Sequence, residues 1–282
     1  MRPDMSPASI FRLFKYAVYA LLSVNVYLFF SEEHAAVQLQ FANGVPWDQL
    51  IEAYVATIDT AAWVVLLLMF ELETSVLSDD QFTKPVVLGL HALRALCYTF
   101  IVYAFYGYIA NLVFLSGALA VPGLTDLCTL VQDNWAYAVG LDNYALLTAA
   151  NCSSFTDASG FYGFPNMQAV VDGAGLTEII RLAWVDVINA AVWLLVVIVL
   201  EIDVRLQEHR QLEGMVLRVS TISKFVLYSL LLLAAIYWGI KGGFVDFWDA
   251  FLWLVAFAFI ELNIFEWRHE ELDAAAAAAA GE

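Results

Sequence analysis

Apolar residues run through this chain in long stretches, separated by short polar ones. Six stretches reach the about 20 mostly apolar residues that a helix needs to cross a bilayer, at roughly 10–30, 50–72, 92–116, 179–201, 223–240 and 244–264. Each is far longer than a strand and lacks strict alternation, so the pattern predicts helices. The first is too long and too aromatic for the apolar region of a cleaved signal peptide, and no small-x-small cleavage site follows Phe30. It is expected to stay as a membrane helix.

The polar positions inside these stretches repeat. The second stretch carries Asp59, Trp63 and Glu71; the fourth carries Asn189, Trp193 and Glu201; the sixth carries Asp249, Trp253 and Glu261. The shared register is an Asp or Asn, three residues, Trp, seven residues, Glu, then Leu or Ile and a further acid or amide. The odd stretches echo one another as well, with a base, three residues, a Tyr and a small residue at Lys15, Arg94 and Lys224. A fixed internal period of this kind marks a repeated structural unit, here a helical hairpin used three times in the same sense. The implied axis is normal to the membrane, unlike that of an inverted-repeat transporter.

The expected fold is therefore all-α, a polytopic membrane protein with six transmembrane helices in three hairpins about a pseudo-three-fold axis. Hairpin 1 covers 1–85, hairpin 2 covers 86–205, hairpin 3 covers 206–273, and 274–282 is an alanine-rich tail. Residues 117–178 are too many for a simple connector and are expected to fold as a small external cap. Within it, 126–132 and 143–150 read as short helices and 160–165 as an irregular aromatic run.

Composition fits a lipid solvent: 62% of the 282 residues are apolar and 15% charged, with a mean hydropathy of +0.74. The twelve bases set the orientation. With a cytoplasmic N-terminus, Arg2, Arg12, Lys15, Lys84, Arg94, Arg205, Arg210, Arg218, Lys224 and Arg268 lie inside, and only Arg181 and Lys241 outside. Both termini then face the cytoplasm of a bacterial-type inner (plasma) membrane. A net charge of −17 disfavours nucleic acid, which needs a basic surface to replace its counterions. From 116 to 180 there is no base, while Asp126, Asp133, Asp142, Asp157, Asp172 and Glu178 are present. That face would concentrate cations, although the positive-inside bias alone also strips bases from outer loops. Cys128 and Cys152 lie in this outer region, where an oxidising compartment permits a disulfide; Cys97 reads as a small core residue.

Two repeated polar layers hold the candidate chemistry. Glu71, Glu201 and Glu261 sit near helix C-termini, where the dipole disfavours a negative charge, so ion pairs with Lys15, Arg94 and Lys224 are expected at the inner boundary. Such pairs clamp hairpins or form an inner gate. Asp59, Asn189 and Asp249 lie twelve residues away, about 18 Å along a helix, within the outer half of the membrane. Intramembrane ionisable groups usually face the bundle interior or a wet cavity. Glu52, Asp186 and Asp246 fall on the same faces, which together predict an outward acidic cavity, unless these groups only bridge helices. Trp63, Trp193 and Trp253, one turn deeper, read as packing between hairpins.

No enzyme is expected. The four histidines are scattered, with no facing pair for a haem, and no Cys-x-x-Cys, His-x-x-x-His, phosphate-binding loop or Gly-x-Ser-x-Gly occurs. No metal or cofactor is expected to reside in the protein. The sequence points to transport or permeation of a proton, a metal cation or a small cationic solute. The alternative is a non-catalytic accessory or scaffold subunit of a membrane complex. The partners expected are the lipid bilayer, the cation, and further copies of the chain or a membrane partner subunit.

Overall fold

The computed structural model describes residues 7–40, 45, 47, 50–77, 81–155, 160–165, 167–208 and 214–258. Glu261, Arg2, Arg210, Arg268 and the alanine-rich tail lie outside the described residues, as does the side chain of Glu52. The chain is mostly helical: α1 Pro7–Gln40, α2 Leu50–Ala53, α3 Val55–Glu71, α4 Lys84–Ser116, α5 Gly173–Glu208, α6 Gly214–Lys241 and a seventh helix, α7, over 244–258. Four of these helices, α1, α4, α5 and α6, are long and apolar enough to cross a membrane.

The helices outrun the apolar stretches that predicted them. α1 continues ten residues past Phe30, through Glu32, Glu33 and His34. Nothing in Ser31 to Gln40 breaks a helix, and Ala35, Ala36, Gln38 and Leu39 are good formers. The second stretch is instead interrupted at Tyr54, whose φ of −131° and ψ of 39° divide α2 from α3. Glu33 replaces the missing cap: its carboxylate accepts from the backbone N–H groups of Ala56 and Thr57 at 2.7 and 3.1 Å, and from the Thr57 hydroxyl at 2.5 Å. These are orphan donors at a helix N-terminus, where a negative charge also suits the dipole. At its other end α3 passes into a π-helical turn, Leu72–Val76.

One apolar cluster binds the bundle. It joins Val18, Tyr19 and Leu22 of α1, Val64 and Leu67 of α3, Val192, Trp193 and Val196 of α5, Leu227 and Leu231 of α6, and Leu252, Trp253, Ala256 and Phe257 of α7. α4 docks on α3 through Cys97 and Ile101 against Ala62. Gly107 lets α4 approach α3 closely, since a Cβ there would lie 2.9 Å from Val55 Cγ2. The first and last described helices meet through an Asn25 to Asp249 hydrogen bond of 2.8 Å.

Between α4 and α5 the chain forms a mixed five-stranded sheet. Its strands are β1 Leu119–Ala120, β2 Ala136–Ala138, β3 Tyr144–Leu146, β4 Phe161–Gly163 and β5 Ala169–Asp172, in the order β1-β4-β5-β2-β3. Only β2 and β5 run parallel. The sequence reading of 143–150 as a helix and of 160–165 as irregular is corrected here: both contribute strands, while 126–132 becomes a 3-10 turn at Leu127–Asp133. The segments are too short for periodicity to separate helix from strand. The sheet alternates faces with period two. Ala136, Ala138, Ala169 and Val171 pack on Leu112 and Leu115 of α4 and Ile179 and Ala183 of α5. Tyr137, Phe161 and Val170 face Leu127, Leu147 and Cys152 on the far side. Cys128 and Cys152 form a disulfide, with 4.9 Å between Cα atoms, that ties the two outer 3-10 turns together.

Candidate functional site: an acidic cavity over a tryptophan triad

A partly open cavity lies between the sheet and the bundle core. Asp59, Asp186, Asn189, Asp246 and Asp249 all line it, with Glu33, Tyr108, Asn111 and Asp142. The five carboxylates and amides expected from the sequence are thus brought together from α3, α5 and α7. They are half-buried and Asp142 is exposed. The space open to water centres is about 90 Å³, room for roughly half a dozen waters.

Six carboxylates line this cavity, from Glu33, Asp59, Asp142, Asp186, Asp246 and Asp249, and no Lys, Arg or His lines it with them. Neutral donors hold most of them in place. Asp59 accepts from Trp63 Nε1 at 3.1 Å and from the Tyr108 hydroxyl at 3.3 Å. Asp249 accepts from Asn25 Nδ2 at 2.8 Å. Asp246 accepts from the backbone N–H of Gly243 at 3.2 Å, capping α7. The spacing of Asp and Trp in the repeat therefore has a local meaning: an indole N–H reaches back one helical turn to the carboxylate. Asp142, on the β2–β3 connection, has no hydrogen bond among the described residues. It is open to water yet deep within protein, and that burial, then the charges of Asp246, Glu33 and Glu32, pushes its pKa well above the ordinary carboxylate value. Among the described residues no three His, Cys, Asp or Glu side chains converge to hold a metal ion; the acids form a lining.

The three repeated tryptophans make the floor. Their ring centroids are 6.0 Å apart for Trp63 and Trp193, 6.3 Å for Trp63 and Trp253, and 6.4 Å for Trp193 and Trp253, at tilts of 53 to 66°. Tilted and edge-to-face contacts at this spacing are the favoured aromatic geometry. The triad closes one end of the cavity and begins the apolar cluster below it.

At the far end of that cluster lies the second polar layer. Lys15 Nζ donates to Glu71 Oε1 at 2.6 Å, with both groups buried, and the hydroxyls of Tyr16 and Tyr19 donate to the same carboxylate at 3.2 and 3.4 Å. The other two repeated bases also meet acids, and Glu261 lies outside the described residues. Arg94 pairs with Glu73 at 2.6 Å and Lys224 with Asp203 at 3.3 Å, while Glu201 pairs with Arg205 one turn away. The third residue of the inner motif, two positions past the Glu, thus meets the base of the next hairpin. A two-residue step turns a helical side chain by about 200°, from its own hairpin to a neighbour.

The sequence reading did not single out Glu33, Tyr108, Asn111 or Asn25, and it named Asp142 only among the acids of the outer region. Asn25 had a signal, being one amide within an apolar run, where a polar residue marks a contact or a site. Glu33 fell in a region read as a loop, and Asp142 reaches the cavity only through the topology of the sheet. No family model, curated protein or solved structure matches this chain.

Proposed function

We propose that the chain is an integral membrane protein of six spans in three hairpins, with α3 and α7 as the shorter spans and the sheet on the exterior side. In this reading a cation enters the acidic cavity from outside and passes the tryptophan floor only when that floor rearranges. The cation is a proton, a metal ion or a small cationic solute, and the protein is a transporter or channel. The observation that carries this is the wet cavity with six carboxylates and no lining base. Like charges gathered at low dielectric repel strongly, so cations or protons must balance them. The disulfide on the sheet side accords with an oxidising exterior. The ten-to-two partition of bases supports a cytoplasmic location for both termini, in a bacterial-type inner membrane.

Cation and pH-gradient flux in proteoliposomes tests the proposal. Parent protein should exceed empty liposomes, and Asp59→Asn and Asp249→Asn should lower flux by at least about tenfold, a rise of order 1.4 kcal/mol in barrier. Equal flux in all three proteins would overturn it.

One observation favours a second reading, a non-catalytic accessory or scaffold subunit: Glu33, Asp59, Asp246 and Asp249 each accept a hydrogen bond from the protein itself. Bracing of that kind predicts a stoichiometric partner on purification in mild detergent. A partner-free homo-oligomer that carries flux would exclude it.

A further inference from the structure

The bend at Tyr54 is not written in its own segment. Helices bend sharply at Pro, at Gly and Ser, at π-bulges, or where a side chain enters the ladder of backbone bonds. No Gly, Pro or Ser occurs between 47 and 72. Helical bonds persist around the bend, with Tyr54 N–H donating to Leu50 O at 3.2 Å and Ile58 N–H to Tyr54 O at 3.0 Å. An unbroken helix would direct the N–H groups of Ala56 and Thr57 to the carbonyls of 52 and 53; here they donate to the Glu33 carboxylate. The intruding side chain thus comes from α1.

The same helix grips the bend a second time. The Tyr54 ring stacks on Phe30 at 5.6 Å, and its hydroxyl lies 3.0 Å from His34 Nδ1. Glu33, Val55 and Ala56 all line the acidic cavity, so the bend shapes its wall. On the α4 side there is little slack, since a Cβ at Gly107 would lie 2.9 Å from Val55 Cγ2. A change at the bend therefore moves the wall.

The grip of Glu33 depends on its charge. An ionised carboxylate accepts on both oxygens and donates from neither. Oε1 takes the Ala56 N–H at 2.7 Å, and Oε2 takes the N–H and the hydroxyl of Thr57. A proton on either oxygen turns an acceptor into a donor that faces donors, and the released N–H groups have helix carbonyls one turn away to return to. The cavity brings water, and so protons, to this side chain. Facing Glu33 there are Asp59 of α3, Tyr108 of α4, Asp142 of the β2–β3 connection, Asp186 of α5, and Asp246 and Asp249 of α7, with no Lys, Arg or His among the lining residues. Glu32 and His34 flank it on α1.

We infer that Glu33 is a proton-operated latch. Ionised, it bends the second span at Tyr54; protonated, it lets α2 and α3 join as one helix and releases the first turn of α3 from α1, which opens the cavity wall between them. As a gate for the cavity, the latch rests on the cation-admitting reading above.

The test reads the backbone at Tyr54, whose Cα resonance separates helical from non-helical dihedrals. Tyr-Val occurs once in the chain, at Tyr54 and Val55, so ¹³C-tyrosine with ¹⁵N-valine labelling of the full chain in lipid nanodiscs selects it. As pH is lowered from about 8 to about 4, through the carboxylate range, the resonance should move from its non-helical to its helical position. Glu33→Gln, which keeps one acceptor and presents a donor, should be helical at both ends of the range. His34→Gln should titrate like the parent. A parent resonance that stays non-helical throughout overturns the inference, as does a Glu33→Gln protein that keeps the bend or a His34→Gln protein that loses the response. The parent titration decides even where a variant does not fold. A bend indifferent to pH, with cation flux in proteoliposomes, removes the latch and leaves the cation-admitting function standing. A responsive bend without flux leaves the latch standing and removes that function.

Discussion

The two polar layers of this bundle differ in one respect that separates a brace from a site. Among the described residues of the inner layer acids meet bases: Lys15 with Glu71, Arg94 with Glu73, Lys224 with Asp203 and Arg205 with Glu201. In the outer layer six carboxylates share one cavity and their partners are neutral. Between them lie the tryptophan triad and an apolar cluster whose Leu22, Val196 and Ala256 are fully buried. Both layers arise from the same repeat, so the register fixes position in depth, and the presence or absence of a base fixes what that position can do. Charge closed within the protein holds helices; the uncompensated charge is what the proposed cation would balance.

The contrast breaks most sharply at the inner layer. Lys15→Met leaves Glu71 buried with only two phenols, and losing one partner of a buried pair costs about 3–5 kcal/mol. Thermal unfolding in detergent should show a large drop, and the double variant Lys15→Met with Glu71→Leu should recover most of it, since removing both charges also removes the desolvation cost. A double variant as unstable as the single would mean that the pair does more than brace.

The sheet above the cavity comes next. The Cys128–Cys152 bridge spans 24 residues, and closing a loop of that length is worth about 3 kcal/mol. Cys152→Ser should raise hydrogen exchange in β2, β3 and β5 and leave α3 and α6 as protected as before. Loss of protection throughout the bundle would show that sheet and helices unfold as one unit.

The smallest effect sharpens the comparison at the cavity mouth. The pKa of Asp142 is raised in the folded protein, so folding favours its protonated form. Its contribution is present below the ordinary carboxylate pKa of about 3.9 and fades as pH rises through the raised value. The melting temperature of the parent should therefore fall relative to that of Asp142→Asn between pH 4 and pH 8, by a small amount because solvent screens the exposed carboxylate. Parallel curves would place Asp142 outside the cavity's electrostatic field.

What the residues disclosed without coordinates follows from the range of the interactions involved. The register of Asp59, Trp63 and Glu71 against Asn189, Trp193 and Glu201 is local to each helix, and it located both layers and the tryptophans. Asp186 and Asp246 were readable because they lie three residues from Asn189 and Asp249, on the same helix face. The pairing of Arg94 with Glu73 instead of Glu201 depends on how neighbouring hairpins rotate against each other, which a repeat does not encode. The strands at 144–146 and 161–163 are three residues each, below the length at which alternation carries information. Glu33 caps a helix that begins 22 residues later, and Asp142 arrives by way of a sheet whose neighbours are not in sequence order.

The proposed function requires a cavity that is wet, open to the exterior and attractive to cations. Accessibility of a single cysteine measures this directly. Asn189→Cys, in a protein otherwise containing only buried Cys97 and the disulfide, is exposed in sealed vesicles to membrane-impermeant thiol reagents of either charge. The predicted result is reaction from the outside, on the order of tenfold faster for the cationic reagent than for the anionic one, with protection of a Val196→Cys variant below the tryptophan floor. Equal rates for the two reagents, or no reaction from the outer side, would contradict it.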